Sequence, residues 1–339
     1  MNILITGGAG FIGSNLANYY LSNGYEVTVF DNLSRMNVEK NLDWLKKSHK
    51  NIKFIKGDVR NFDSVKNVCK DKEIIFHLAA QVAVTTSINK PKEDFDINAL
   101  GTFNLLEAAR LCNTNPNIIY TSTNKVYGNN VNEIPIIEKN TRYEFQDSKF
   151  KIGINEDFPT DANEHTPYGC SKYVGDLYMR DFYKIFGLKT VTFRMSCIYG
   201  PRQFGNEDQG WVAHFVISTF LNKPLIIYGD GKQVRDILFV NDLINAFELA
   251  CNDIKKTKGK AYNIGGGVNN TISLMELLSF FKKLNLNSKF IFNNWRPGDQ
   301  KVYISDIRKA QEFGWRPSVS ALDGIKKLFE WVQENKMLF

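Results

Sequence analysis

Asn2-Ile3-Leu4-Ile5-Thr6-Gly7-Gly8-Ala9-Gly10-Phe11-Ile12-Gly13 opens the chain, and its reading decides the fold. The short apolar run reads as a buried strand, and glycines follow it at positions 7, 10 and 13. The first lets the chain turn sharply. The second lets backbone approach a pyrophosphate, and the third lets the next helix pack closely on the strand. That helix, expected over residues 11–22, begins where its N-terminus favours phosphate charge, and Gly24 stands where a C-cap glycine would end it. Asp31 closes the second strand, at the distance where a carboxylate takes the adenosine ribose hydroxyls. It repels the extra phosphate of NADP, so the expected cofactor is NAD; Arg35 is the residue that would favour NADP. Asp58 either meets the adenine edge or simply turns the chain after Gly57.

Outward from this start, strands at 3–6, 26–30, 53–55, 74–78, 118–122 and 190–195 alternate with helical stretches such as 11–22 and 102–111. The alternation predicts an α/β fold, a doubly wound parallel Rossmann sheet. A length of 339 residues exceeds one ordinary domain, so a smaller mixed α/β substrate-binding lobe is expected beside it. The expected division gives residues 1–197 and 234–256 to the NAD-binding domain. It gives 198–233 and 257–339 to a nucleotide-sugar-binding domain. Residues 129–166 are polar and without period, and are expected to form a loop walling the active site.

Composition narrows the function classes. The net charge of +7 is spread over scattered lysines, so neither nucleic acid nor membrane is an expected partner. Cys69, Cys112, Cys170, Cys197 and Cys251 are odd in number and unpaired in spacing, which predicts reduced thiols, no zinc site and a cytoplasmic protein. The histidines at 49, 77, 165 and 214 have no metal-ligand spacing either. The apolar N-terminus is broken by glycines and lacks a basic leader, so it reads as a strand rather than a signal peptide.

The chemistry lies in Thr166-Pro167-Tyr168-Gly169-Cys170-Ser171-Lys172. Thr166 and Pro167 read as N-cap and first helical residue. Tyr168 then falls in the first turn with Lys172 on the same face. A free phenol titrates near pH ~10. An ammonium and a helix N-terminus both favour the phenolate, which predicts a general base working near neutral pH.

A further run, Thr121-Ser122-Thr123-Asn124-Lys125-Val126-Tyr127-Gly128, follows the strand at 118–122. Together with the glycine loop, Asp31-Asn32, His77-Leu78-Ala79-Ala80-Gln81, Asn98 and Tyr168 to Lys172, it resembles the extended short-chain dehydrogenases/reductases that act on nucleotide sugars. The resemblance implies that Thr123, Tyr168 and Lys172 carry the proton chemistry, with Lys172 also touching the nicotinamide ribose. It implies that NAD is held by Gly7, Gly10, Phe11, Ile12, Gly13, Asp31, Asn32, Asp58, Val59, Leu78, Ala79, Ala80, Gln81, Asn98, Tyr168 and Lys172. It places the substrate against Thr123, Asn124, Lys125, Arg202, Gln209, Arg235 and Arg296, the arginines serving its diphosphate. Trp211 and Trp295 either pack on base or sugar or belong to the core.

Dehydratases of this family carry Asp-Glu after the threonine; Asn124-Lys125 stands here, so water loss is not expected. Thr141 to Phe145, Asp208 to Trp211 and Gly231 to Asp236 add a likeness to the subgroup that inverts carbon 2 of CDP-linked sugars. Residues 155–165 agree with that subgroup only loosely, and Cys197 stands where many 4-epimerases carry Asn. The resemblance thus implies an NAD-dependent isomerase with a CDP-linked sugar substrate, working as a homo-oligomer, a dimer or tetramer. A UDP-sugar 4-epimerase is the nearest alternative. A non-catalytic NAD-sensing protein on the same fold is the rival from another class, and the Tyr168/Lys172 pair argues against it.

Overall fold

Strands β1 (Asn2–Thr6), β2 (Glu26–Asp31), β3 (Lys53–Lys56), β4 (Ile74–His77), β5 (Asn117–Thr123), β6 (Lys189–Met195) and β7 (Lys260–Ile264) form one seven-stranded sheet. Its order is β7-β6-β5-β4-β1-β2-β3, and every pairing is parallel. This is a computed structural model, which describes residues 1–112, 114–296 and 298–339.

The apolar runs explain the arrangement. Side chains alternate across a strand, so an unbroken run such as Ile3-Leu4-Ile5 needs cover on both faces. Ile3 and Ile5 pack with Leu16 and Tyr20 of helix Phe11–Ser22 and with Leu243 and Phe247 of helix Val240–Asn252. Leu4 points the other way, into Leu105 and Leu106 of helix Gly101–Leu111 and Met179 and Phe182 of helix Pro167–Phe186. Truncating a core residue of this kind, Leu4→Ala, is expected to cost about 2–5 kcal/mol, read as a lower denaturant midpoint. The strand order reverses between β1 and β4, and ligands bind beyond the carboxyl ends at such a reversal. A cavity of about 650 Å³ opens there.

A second lobe caps that end. Strand Val234–Phe239 pairs antiparallel with Thr271–Ser273 and parallel with Val302–Tyr303 and Cys197–Tyr199. Strand Leu225–Tyr228 pairs with Phe290–Asn293. Phe215, Leu277, Phe281, Ile325 and Leu328 form its core. Helix Leu274–Lys283 starts in a capping box, Ser273 and Glu276 each bonding the other's backbone N–H.

Three expectations are corrected here. Residues 234–239 were expected in the NAD-binding domain and instead form the centre of the small sheet; Leu238 and the following helix pack on the first lobe. Residues 260–264 were expected in the second lobe and instead form the edge strand β7. Both strands are short, and the partner edge that pairs them lies far away in sequence. Residues 129–166 do not line the large cavity. Ile134, Tyr143, Phe145 and Ile154 bury themselves against Val126, Val302 and Tyr303. The segment braces the helix carrying Tyr168, through Asn129 N to Glu164 O at 3.0 Å and His165 Nε2 to Val126 O at 2.8 Å. No helix among the described residues is long and apolar enough to cross a membrane.

Candidate active site

The glycine loop makes a cradle that only glycine fits. Gly7 has φ +68°, and a Cβ there would lie 2.7 Å from Ala79 N. A Cβ on Gly13 would lie 2.2 Å from Gly7 O and 2.6 Å from Gly8 Cα. Gly10 is the N-cap of helix Phe11–Ser22 and supplies no side-chain cap, so the N–H groups of the first turn face the cavity uncapped. Gly7, Gly10, Phe11, Ile12 and Gly13 line one side, and Val59, Leu78, Ala79, Ala80 and Gln81 line the other. The backbone cradle, the uncapped helix N-terminus and the size of the cavity fit a dinucleotide.

Asp31 sits at the end of β2 and lines the same cavity. Its carboxylate accepts from Ala9 N at 3.0 Å and Leu33 N at 2.8 Å. Burial pushes its pKa up, and those two N–H groups oppose the shift. Each oxygen keeps lone-pair capacity for a ribose hydroxyl. Arg35 lines the cavity too, but its guanidinium bonds Gln209 across it. Asp58 is chelated by Arg60 at 2.9 and 2.7 Å, which holds its carboxyl down at about 2, and it accepts from Asn32 Nδ2 at 2.9 Å. Asn98 does not line the cavity; it holds the Gln81 backbone, accepting from Gln81 N at 2.9 Å and donating to Gln81 O at 3.0 Å.

Thr123 ends β5, and Tyr168 and Lys172 stand on the first two turns of helix Pro167–Phe186. The helix starts as expected: Thr166 Oγ1 caps Gly169 N at 3.2 Å, and Pro167 takes the first helical position. Tyr168 and Lys172 line the cavity, and the Thr123 hydroxyl stands near enough to the phenol to favour its anion. Lys172 Nζ lies 4.3 Å from the centroid of the Tyr120 ring. Burial drives the Lys172 ammonium down to about 7, against the pull of Asp94 and Asp176. The expected lowering of the phenol pKa is not found. Burial drives Tyr168 up to about 12; the Thr123 hydroxyl and Arg35 offset only part of that, and the Asp94 carboxylate adds to it. Desolvation of the phenolate outweighs the favourable charges. His77 plays no part; neutral and buried, it bonds Thr6 Oγ1 at 2.8 Å and Thr102 Oγ1 at 3.1 Å.

Beyond Thr123 the structure brings in Gln300, a residue with no sequence signal. It is buried, accepting from Asn124 Nδ2 at 3.2 Å and Lys125 Nζ at 3.4 Å. Lys125 Nζ also donates to Gly298 O at 3.1 Å. Desolvation, aided by Arg235, lowers the Lys125 pKa to about 8. The Arg235 guanidinium itself donates to Val234 O at 2.8 Å. Arg296 lies 3.6 Å over the Tyr228 ring and pairs with Glu207 at 3.2 Å. Arg202 and Gln209 line the same cavity as the glycine loop and Tyr168: Arg202 stacks 4.1 Å over Trp44, and Gln209 holds Arg35. Trp211 Nε1 donates to Cys197 Sγ at 3.4 Å, and Trp295 packs on Gly229.

The family model described as GDP-mannose 4,6 dehydratase matches residues 4–328. The chain belongs to that family. It is 46% identical to a CDP-paratose 2-epimerase from Salmonella typhi, over 98% of this chain and 99% of that one. A crystal structure of UDP-glucose 4-epimerase from Thermotoga maritima, with UDP-glucose, superimposes with a TM-score of 0.84 at 31% identity, covering 99% of this chain and 100% of the other. UDP-glucuronic acid 4-epimerase from Bacillus cereus, in complex with UDP-glucuronic acid and NAD, gives 0.82 at 29%, covering 98% and 99%. Membership of a family named for a dehydratase does not bring the dehydratase acid pair: the amide of Asn124 and the amine of Lys125 occupy those places, tied together by Gln300.

Proposed function

We propose that the chain is a nucleotide-sugar epimerase with tightly bound NAD, inverting carbon 2 of CDP-paratose to give CDP-tyvelose. The observation that carries this is Tyr168 sharing one cavity with Lys172 and the glycine cradle. The 46% identity to a CDP-paratose 2-epimerase supports the choice of substrate.

The cradle of Gly7, Gly10 and Gly13, with Asp31, would hold NAD, which would supply reversible hydride transfer at the sugar carbon and a positive ring favouring the Tyr168 phenolate. The phenolate takes the proton of the carbon-2 hydroxyl as the ketone forms, and gives it back when the other face is reduced. The Thr123 hydroxyl favours the phenol's anionic form. The Lys172 ammonium favours negative charge on the oxygens beside it. Net redox change is zero, so nothing needs to exchange between turnovers. Arg235 and Lys125 supply positive charge toward a phosphate.

Deuterium at carbon 2 is expected to stay there through epimerisation, and turnover in heavy water is expected to add no carbon-bound deuterium. Wash-in would mean deprotonation beside a carbonyl. The likeness to UDP-sugar 4-epimerases carries the second reading. Inversion at carbon 4 of a UDP-hexose, with CDP-paratose untouched, would select it. With no acid pair at 124 and 125, no 4-keto-6-deoxy sugar is expected from CDP-glucose or dTDP-glucose, read by its absorbance in alkali.

Phe103 and Leu111 on one helix, with Leu177, Tyr178, Ile185 and Phe186 on its neighbour, expose an apolar face that supports a homodimer. Light scattering showing a monomer would overturn that. The five cysteines are all free, which supports a reducing, cytoplasmic setting.

A further inference from the structure

Asp94, on the short helix Pro91–Phe95, is 1% exposed and lies behind the cavity wall. Among the described residues it has no cation within ion-pair distance. Three neutral donors hold it instead: Ser171 Oγ on Oδ2 at 2.5 Å, and Gln81 Nε2 at 2.8 Å and Asn98 Nδ2 at 3.2 Å on Oδ1. One of the donors lines the cavity, and the other two are tied to residues that do. Ser171 lies between Tyr168 and Lys172 on their helix, and its Oγ also accepts from Asn98 Nδ2 at 3.0 Å. Gln81 is cavity wall.

Several charged or titratable groups face Lys172. Asp176, on the same helix, already holds Arg194 at 2.8 Å and Arg180 at 3.0 Å. His77 on β4 is neutral, and Tyr120 on β5 lies beneath the ammonium with its burial-raised phenol protonated. Tyr168 is the reacting phenol. Asp94 is therefore the buried carboxylate whose charge no guanidinium balances.

We propose that Asp94 is a positioning residue of the reaction, fixing Ser171, Asn98 and Gln81 with one carboxylate and supplying the counter-charge that keeps Lys172 an ammonium beside Tyr168. The proposal rests on reading Tyr168 and Lys172 as the proton-handling pair. Its direction is fixed by charge: a carboxylate favours the ammonium on Lys172 and the neutral phenol on Tyr168. Removing it lowers both pKa values. The population that pairs phenolate with ammonium is bounded by these two pKa values, so its pH profile moves downward as a whole.

The test is Asp94→Asn in the NAD-loaded protein. Both limbs of the kcat profile are expected to shift to lower pH by about one unit, the usual effect of one nearby charge. Ser171→Ala cuts the hydrogen bond and leaves the charge, so kcat should fall with the profile in place. This second variant keeps the test decisive if Asp94→Asn does not fold; a profile displaced by Ser171→Ala would overturn the proposal. A readout independent of turnover is the Lys172 titration itself. It is followed by NMR of the reductively methylated protein, with the resonance assigned by its absence in Lys172→Arg. Asp94→Asn should lower that pKa by a similar amount, and an unmoved Lys172 pKa would overturn the proposal. A wild-type protein that turns over no nucleotide sugar would sink the epimerase reading, while the Lys172 titration would still decide the role of Asp94.

Discussion

Replacing Tyr168 with Phe is expected to lower turnover by a factor on the order of 100 to 10,000, the range for loss of a positioned general acid–base group. The substitution removes one oxygen. The Thr123 hydroxyl keeps the Asn124 side chain, to which it donates at 3.3 Å, so no buried donor is left stranded. Stability should therefore change by no more than about 1 kcal/mol. The cradle of Gly7, Gly10 and Gly13 is untouched, so bound NAD should persist. The measurement is initial rate with CDP-paratose, beside the nucleotide released on denaturation. Activity within a few-fold of wild type would mean that another group moves the proton. Lys172→Ala is expected to differ in kind. It removes the ammonium beside the phenol and a lining residue of the cavity, so turnover and NAD retention should fall together.

Gly13→Ala is expected to strip the protein of its dinucleotide. The new Cβ would meet Gly7 O at 2.2 Å and Gly8 Cα at 2.6 Å, and neither is a side chain that can swing away. Loop and helix must separate, but Leu16, Ala17 and Tyr20 anchor the helix in the core beneath. Overpacking of this kind costs about 1–3 kcal/mol. The displacement carries the first-turn N–H groups away from where phosphate would sit. Gly24→Ala is the control. Nothing lies within 4 Å of a Cβ there, yet φ is +80°. It should cost about 1–2 kcal/mol through backbone strain alone, with NAD content unchanged. Nucleotide per chain and the melting temperature of the two variants separate the effects. Retention of full NAD by Gly13→Ala would sink the account of the cradle.

The reach of the sequence follows the range of the interactions. The strand, glycine turn and helix of residues 2–22 were legible because their determinants are neighbours: an apolar run, glycines three apart, a C-terminal glycine. The start of the helix bearing Tyr168 was legible for the same reason, since Thr166, Pro167, Tyr168 and Lys172 lie within seven residues. Local chemistry also placed Asp31 at the end of its strand.

Other features depended on what lies opposite. Strand β7 is a five-residue run that becomes part of the sheet only because β6 offers an open edge. Gln300 reaches Asn124 across 176 positions. Arg202 and Gln209 meet Trp44 and Arg35, which lie more than 150 positions away in sequence. The pKa of Tyr168 shows the division most plainly. The sequence by itself determined that a phenol, a helix N-terminus and an ammonium would be neighbours, and those charges favour the phenolate. Only the tertiary structure decided how much water remains around the phenol, and burial there drives its pKa up to about 12. Charges four residues apart can be read along a chain, whereas desolvation is set by every element that closes over the site.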